Sequence, residues 1–118
     1  MNKTSKTAGA GKLAGLLGMA RRAGKLTTGF DAVAGLISQE KAALVLTAAD
    51  LSPKTQKELH FAVKDKAVPI VSMPLTKEEA GNACGFKKPV GILATEDKGF
   101  AAAMEKHCPH DLEEDSAL

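Results

Sequence analysis

Tryptophan and tyrosine are absent from the sequence, and phenylalanine occurs only four times in 118 residues. The hydrophobic fraction is nevertheless 44%, which is ordinary for a globular protein, so the core is expected to be aliphatic and rich in alanine. Proteins that bind single-stranded nucleic acid commonly stack successive bases on several aromatic side chains. This composition argues against that class of protein. If a nucleic acid is bound, the expected contacts are to its backbone and its shape.

Cysteine is scarce as well, since only Cys84 and Cys108 occur. The stretch His107-Cys108-Pro109-His110 offers only three metal ligands and no paired Cys-x-x-Cys element, so we predict free thiols and no metal site. No apolar run approaches the ~18 residues of a membrane span. Residues 1–12 also lack the apolar core of a secretory signal. These absences predict a cytoplasmic protein with no membrane partner.

Charge is present in both signs but is unevenly distributed. Residues 1–66 carry eleven Lys and Arg against five Asp and Glu, a net charge of +6, whereas residues 67–118 carry five against nine, a net charge of −4. A polyanion is the natural partner of the basic half, although an ordinary solvated surface explains the charge equally well.

The length of the chain fits one domain. We predict a flexible basic arm at 1–11, a single domain at 12–108 and an acidic tail at 109–118.

Helices and strands are predicted to alternate along this domain. Apolar residues at helical spacing indicate a first helix over 12–23, ended by Gly24. Ser52 followed by Pro53 is a strong helix start, and Thr76 caps another helix that ends at Gly85. The remaining predicted elements are strands at 25–27, 43–48, 68–71 and 90–94, and helices at 29–39 and after 99. This order is typical of an α/β protein with helices on both faces of a partly parallel sheet.

Catalytic signatures are lacking. The stretch Gly9-Ala10-Gly11-Lys12 is not a phosphate-binding loop, because neither the required preceding Gly nor the following Ser or Thr is present. Carboxylates follow predicted strands at three positions, but helix capping or solvation explains them as well as acid–base chemistry does: Asp50, Glu96 and Asp97. We therefore predict no catalytic residue, no cofactor and no enzymatic activity.

Two basic segments are better candidates for function. Arg21, Arg22 and Lys25 precede Gly29, where the second helix is predicted to begin, and a helix N-terminus offers unpaired N–H groups to a phosphate. The loop 86–89 adds two lysines and one phenylalanine that can stack on a nucleotide. The alternatives are a helix C-terminus bearing ordinary cations and a phenylalanine packed into the core.

Several stretches resemble a known family. They are Leu17-Gly18-Met19-Ala20-Arg21-Arg22-Ala23-Gly24-Lys25-Leu26, Leu44-Val45-Leu46-Thr47-Ala48-Ala49-Asp50, Val68-Pro69-Ile70, Thr76-Lys77-Glu78-Glu79-Ala80-Gly81 and Thr95-Glu96-Asp97-Lys98-Gly99-Phe100. Over 12–106 the chain is similar to the bacterial branch of the ribosomal proteins that bind kink-turn RNA, the L-seven-Ae and L-thirty-e family with its Gadd-like fold. The resemblance implies a three-layer α/β/α sandwich around a small mixed sheet of about four strands.

The resemblance also implies where RNA binds, namely at the turn into the second helix and at the loop before the last strand. In kink-turn binders that turn reads Gly-x-Asn-Glu, with a Lys three residues after the Glu. Here Gly29 matches and Asp31 matches in part, because it accepts hydrogen bonds but cannot donate them as Asn does. Ala32 and Gly35 depart from the pattern. These departures favour an alternative function, a protein-interaction module of the same fold that has lost specific RNA recognition.

We therefore predict a monomeric, ribosome-associated protein that binds structured RNA, with ribosomal RNA as the expected partner and ribosomal proteins as possible neighbours. The predicted RNA-binding residues are Arg21, Arg22, Lys25, Thr28, Gly29, Phe30, Asp31, Phe86, Lys87 and Lys88.

Overall fold

The computed structural model describes residues 2–108, with side chains from residue 9 onward. Along this part of the chain, five helices alternate with four strands. They are α1 Asn2–Arg22, β1 Thr27–Thr28, α2 Phe30–Ser38, β2 Leu44–Thr47, α3 Pro53–Ala62, β3 Ile70–Ser72, α4 Lys77–Cys84, β4 Ile92–Thr95 and α5 Lys98–Glu105. No helix in this described part is long and apolar enough to cross a lipid bilayer.

The four strands form one mixed sheet in the order β1-β4-β2-β3. Strands β2 and β3 are parallel, whereas β4 is antiparallel to both β1 and β2. Strands β1, β2 and β3 therefore run in the same direction, and their carboxyl ends lie at the edge where β4 begins. The predicted small mixed sheet of four strands is confirmed.

The core lies on both faces of this sheet because β2 and β4 are buried along their whole length. Leu44 and Leu46 join a cluster with Leu13 and Leu17 of α1, while Val45 between them joins a second cluster with residues of α2 and α3. Alternate side chains of a strand point to opposite faces. Helices α1, α4 and α5 thus cover one face and α2 and α3 the other, which confirms the three-layer sandwich.

Helix ends follow local sequence signals closely. The Ser52 hydroxyl accepts a hydrogen bond from the Thr55 N–H at 3.2 Å, and Thr76 with Glu79 forms a reciprocal capping box. Gly24 and Gly85 have φ angles of 73° and 86°, in the left-handed region that glycine adopts without penalty. The predicted starts of α3 and α4 and the predicted stops after α1 and α4 are therefore confirmed.

The beginning of the chain differs from the sequence prediction. Helix α1 begins at Asn2 rather than near Lys12; the division of the chain into an arm at 1–11 and a domain at 12–108 stays a prediction. No proline occurs before Pro53 to interrupt the helix, and Ala10 packs against the core cluster of Leu13 and Leu17. The predicted acidic tail, 109–118, lies outside the described residues.

Candidate functional site

Three helices begin at a single edge of the sheet. Strands β1, β2 and β3 end there, and each is followed by a helix, with Gly29, Ser52 and Thr76 as the N-cap residues of α2, α3 and α4. A helix N-terminus carries a partial positive charge and exposes N–H groups that lack a partner within the helix. We call this surface the α2 edge. Helix α5 begins at the opposite end of the sheet, after β4.

Helix α2 differs from α3, α4 and α5 in how its N-terminus is capped. Side-chain oxygens cap α3, α4 and α5, but Gly29 has no side chain and none caps α2. The Gly29 N–H donates to the Ile92 carbonyl at 2.9 Å, which ties the turn to the first residue of β4. The φ of 96° and ψ of 150° at Gly29 are accessible essentially only to glycine. No side chain therefore caps the first-turn N–H groups of α2, and the turn that carries them is held in place by β4.

The carboxylates that follow strands have structural partners. Asp50 Oδ1 accepts from the Lys77 N–H at 2.8 Å, so Asp50 links the end of β2 to the start of α4. Asp97 Oδ1 accepts from the Phe100 N–H at 2.9 Å and caps α5. Helix capping therefore accounts for two of the three carboxylates considered as catalytic candidates.

The loop 86–91 connects the two ends of the sheet. It leaves α4 at Gly85 and runs back along that helix, so closely that a Cβ at Gly81 would collide with the carbonyl oxygen of Lys88. The Val90 N–H then donates to the Lys77 carbonyl at 2.9 Å. The Gly91 carbonyl accepts from the Ala48 N–H, also at 2.9 Å. The exposed Lys88 thus lies on the path of the loop toward the α2 edge.

The predicted cationic residues lie mostly at the other end of the sheet. The Arg21 guanidinium stacks over the Phe86 ring, 4.4 Å from its centroid. The Lys25 carbonyl accepts a hydrogen bond of 2.7 Å from the hydroxyl of Thr95, the last residue of β4. We call this surface the Arg21 end; it comprises Arg21, Arg22, Lys25, Phe86 and Lys87.

The structure therefore divides the predicted site. Thr28, Gly29, Phe30 and Asp31 lie together at the α2 edge, because Thr28 pairs with Leu93 near the start of β4. The cations of the Arg21 end lie near the finish of the same strand. The predicted residues thus lie at two places along β4, because the direction of β1 separates Lys25 from Gly29; their role in binding stays a prediction.

The two phenylalanines of the predicted site are half-buried. Phe30 packs against the core cluster that contains Val33, and Phe86 packs against the cluster that contains Cys84. Both rings are therefore packed partly against the core, as the alternative interpretation predicts. Asp31, in contrast, is exposed in the first turn of α2, where a carboxylate is favourable to the helix dipole.

Sequence reasoning missed two lysines at the α2 edge. Lys54 lies in the first turn of α3, and Lys77 is the first residue of α4. A cation at this position opposes the helix dipole, at a typical cost of about 0.3–1 kcal/mol. The signal is present in the sequence, since Lys77 directly follows the Thr76 cap and Lys54 follows the helix start at Ser52 and Pro53. What was missing was the knowledge that the caps share one edge.

The two cysteines are free and buried. Burial raises the pKa of the Cys84 thiol, and the nearby Arg21 opposes that rise. Burial, together with Glu105, raises the pKa of Cys108 to about 12. Within the described residues, no group of three or more His, Cys, Asp or Glu side chains is arranged to hold a metal ion.

Comparison with known proteins identifies the family. Residues 11–105 match the model of the ribosomal protein L7Ae/L30e/S12e/Gadd45 family. The chain belongs to this family. It is 37% identical over 94 residues to the RNA-binding protein YlxQ of Enterococcus faecium, an alignment that covers 76% of this chain and 84% of the relative.

Two solved structures share the fold. A Bacillus halodurans protein of unknown function superposes with a TM-score of 0.74 at 25% identity, covering 81% of this chain and 95% of that protein. A 15.5 kD RNA-binding protein of Giardia lamblia superposes with a TM-score of 0.64 at 23% identity, covering 81% of each chain. The predicted family and fold are both confirmed.

Proposed function

We propose that this protein binds structured RNA at the α2 edge without catalysing a reaction on it. The observation that carries the proposal is the convergence of three helix N-termini on one edge, with the first turn of α2 free of a side-chain cap. The family membership and the RNA-binding name of the Enterococcus faecium relative support the same conclusion.

The chemistry of the α2 edge suits a folded phosphate backbone. N–H groups at a helix N-terminus donate to phosphate oxygens, and the helix dipole favours negative charge there. Gly29 carries no side chain to obstruct the approach of a backbone. Lys54, Lys77 and Lys88 add cations around the turn, and a bound phosphate would offset the unfavourable position of the first two. These features select a rigid arrangement of phosphates rather than a base sequence.

The Arg21 end has a different role in this proposal. Its long, exposed cationic side chains suit contacts with phosphates of any RNA that extends past the α2 edge. The cations of this end are all exposed, and the Arg21 guanidinium also contacts the Phe86 ring. This end adds affinity that depends on salt and little on RNA shape.

Recognition of a kink-turn is the more specific part of the proposal. Asp31 is the one side chain of the turn at 29–32 that can reach a base edge and accept from a guanine N–H. Ala32 and Gly35 contribute no polar side chain. We therefore propose preference for a kinked RNA through backbone shape, assisted by Asp31. We also propose ribosomal RNA as the partner and a cytoplasmic monomer as the working form.

The test is a titration of the whole protein against a kink-turn RNA and a straight duplex of equal length, at two salt concentrations. Tighter binding to the kinked RNA supports recognition at the α2 edge. Equal binding to both, lost steeply as salt rises, would leave charge attraction alone. Absence of binding to either RNA would overturn the proposal and favour the protein-interaction module.

A further inference from the structure

Phe61 is exposed although aromatic residues are scarce. It keeps 70% of its surface accessible, whereas the other three phenylalanines, Phe30, Phe86 and Phe100, are half-buried and pack against the core clusters. A chain with four aromatic side chains thus places one of them where it contributes little to the core. Its neighbours Leu59 and Val63 supply the buried contacts of this helix end instead.

Two lysines flank Phe61 on the exposed face of α3. A shallow groove along α3 is lined by Pro53, Gln56, Lys57, His60, Phe61 and Lys64. The Lys64 ammonium lies 4.6 Å from the centroid of the Phe61 ring. No carboxylate contributes to the lining of this groove; Glu58 belongs to the same helix but is not among the lining residues. The groove therefore combines one aromatic face with cations on the same helix surface.

This groove is continuous with the α2 edge. Helix α3 begins at that edge, and it packs against α2 through the cluster that contains Val33 and Leu59. The groove is lined from Pro53, in the first turn of α3, to Lys64, just beyond its end. An RNA strand that leaves a structured region bound at Gly29 can follow α3 without crossing the sheet.

We propose that α3 binds a single-stranded segment that flanks the structured RNA, with one base stacked on Phe61 and phosphates on Lys57 and Lys64. This inference rests on the proposed RNA binding at the α2 edge. An aromatic face accepts any base, and adjacent cations hold the backbone. One isolated ring among lysines is a poor core for a protein interface, because stable interfaces bury about 800 Å² per partner around several apolar residues.

The first experiment uses the absence of tryptophan and tyrosine from the chain. Phe61→Trp introduces a single indole at the proposed stacking position. Met19→Trp is the matched control, since Met19 is the other exposed large apolar side chain, 51% accessible, and lies on α1 in the opposite layer. Each variant is titrated with a kink-turn RNA that carries a single-stranded uridine extension, and with polyglutamate as an anion without bases.

Stacking predicts strong quenching of Phe61→Trp fluorescence by the extended RNA, little quenching by polyglutamate, and little change in Met19→Trp. Three outcomes would overturn the proposal. They are equal quenching of both variants, equal effects of RNA and polyglutamate on Phe61→Trp, and quenching that depends on protein concentration alone, which would indicate self-association.

A second experiment separates this inference from the proposed function. Phe61→Leu keeps an apolar side chain but removes the aromatic face. The extension should tighten binding of the original protein about tenfold and of Phe61→Leu hardly at all, while both bind the unextended RNA equally. If the unextended RNA is not bound, the proposed function fails. If it is bound but the extension adds nothing, only the role of α3 fails.

Discussion

The two ends of the β-sheet both present positive charge, but they use different parts of the chain to do so. At the α2 edge the charge comes from backbone N–H groups at the start of α2, which the sheet holds in place, and from Lys54, Lys77 and Lys88. At the Arg21 end it comes from long side chains beyond the last turn of α1. The turn at Gly29 is tied to Ile92 by a hydrogen bond of 2.9 Å, whereas the cationic side chains of the Arg21 end are all exposed.

One small domain can thus separate affinity for RNA from selectivity for its shape. Fixed backbone donors accept only phosphates at matching positions, so they discriminate between RNA shapes. Flexible cations adapt to any phosphate and lose their attraction as salt rises. The loop 86–91 joins both ends, and it depends on close packing of Lys88 against Gly81.

Gly81→Ala should have the largest effect, because it disrupts the loop that connects the two ends. The added Cβ would collide with the Lys88 carbonyl oxygen, which belongs to the backbone and cannot rotate away. We expect the free energy of unfolding to fall by about 2 to 3 kcal/mol, measured by urea denaturation. Gly15→Ala is the control, since a Cβ there meets open space and should raise stability by up to about 1 kcal/mol. Unchanged stability of Gly81→Ala would show that the loop shifts to make room for the Cβ at little cost in free energy.

Removing cations from the Arg21 end should weaken RNA binding without changing shape preference. In Arg21→Gln with Arg22→Gln, affinities for kinked and straight RNA should fall by the same factor. The slope of log affinity against log salt should also decrease by about 1 to 2, because each lost phosphate contact removes about 0.9. Lys106→Gln serves as a control away from this end. A selective loss for the kinked RNA would mean that both ends recognise shape.

Asp31→Asn should sharpen recognition at the α2 edge. The amide can donate as well as accept, and the substitution removes a carboxylate that repels phosphate. We expect binding of the kinked RNA to tighten about three- to tenfold, with a smaller gain for the straight duplex. Asp65→Asn removes the same charge after the end of α3 and should leave the kinked-to-straight ratio unchanged. If both RNAs bind more tightly by the same factor, Asp31 acts only through its negative charge.

The smallest expected difference concerns the two buried thiols. Burial keeps both protonated at neutral pH, but Arg21 lowers the pKa of Cys84 while Glu105 raises that of Cys108 further. Since the thiolate is the reactive form, Cys84 should react with a disulfide reagent before Cys108, and both rates should rise as pH increases above 8. Arg21→Gln should slow Cys84 and leave Cys108 unaffected. Faster reaction of Cys108 in the folded protein would contradict this order.

Local signals in the sequence were sufficient for most of the secondary structure. Ser52 with Pro53, Thr76 with Glu79, and the left-handed glycines mark helix ends through hydrogen bonds made within a few residues. Continuous apolar runs identified β2 and β4 because both of their faces are covered. The predicted start of α1 is wrong because residues 2–11 mix small and polar residues, a composition typical of linkers. The contact of Ala10 with the core forms only when the chain folds.

The family, the α/β class and the candidate turn at Gly29 follow from the amino-acid sequence, since each depends on residue types at short spacings. Which candidate residues lie together follows from the pairing of the strands. Strand β4 pairs antiparallel with β1 and β2, which puts Gly29 beside Ile92 and Lys25 beside Thr95, at opposite ends of one strand. Pairing between residues so distant in the chain leaves no local signature, because its energy comes from burial shared across the whole sheet.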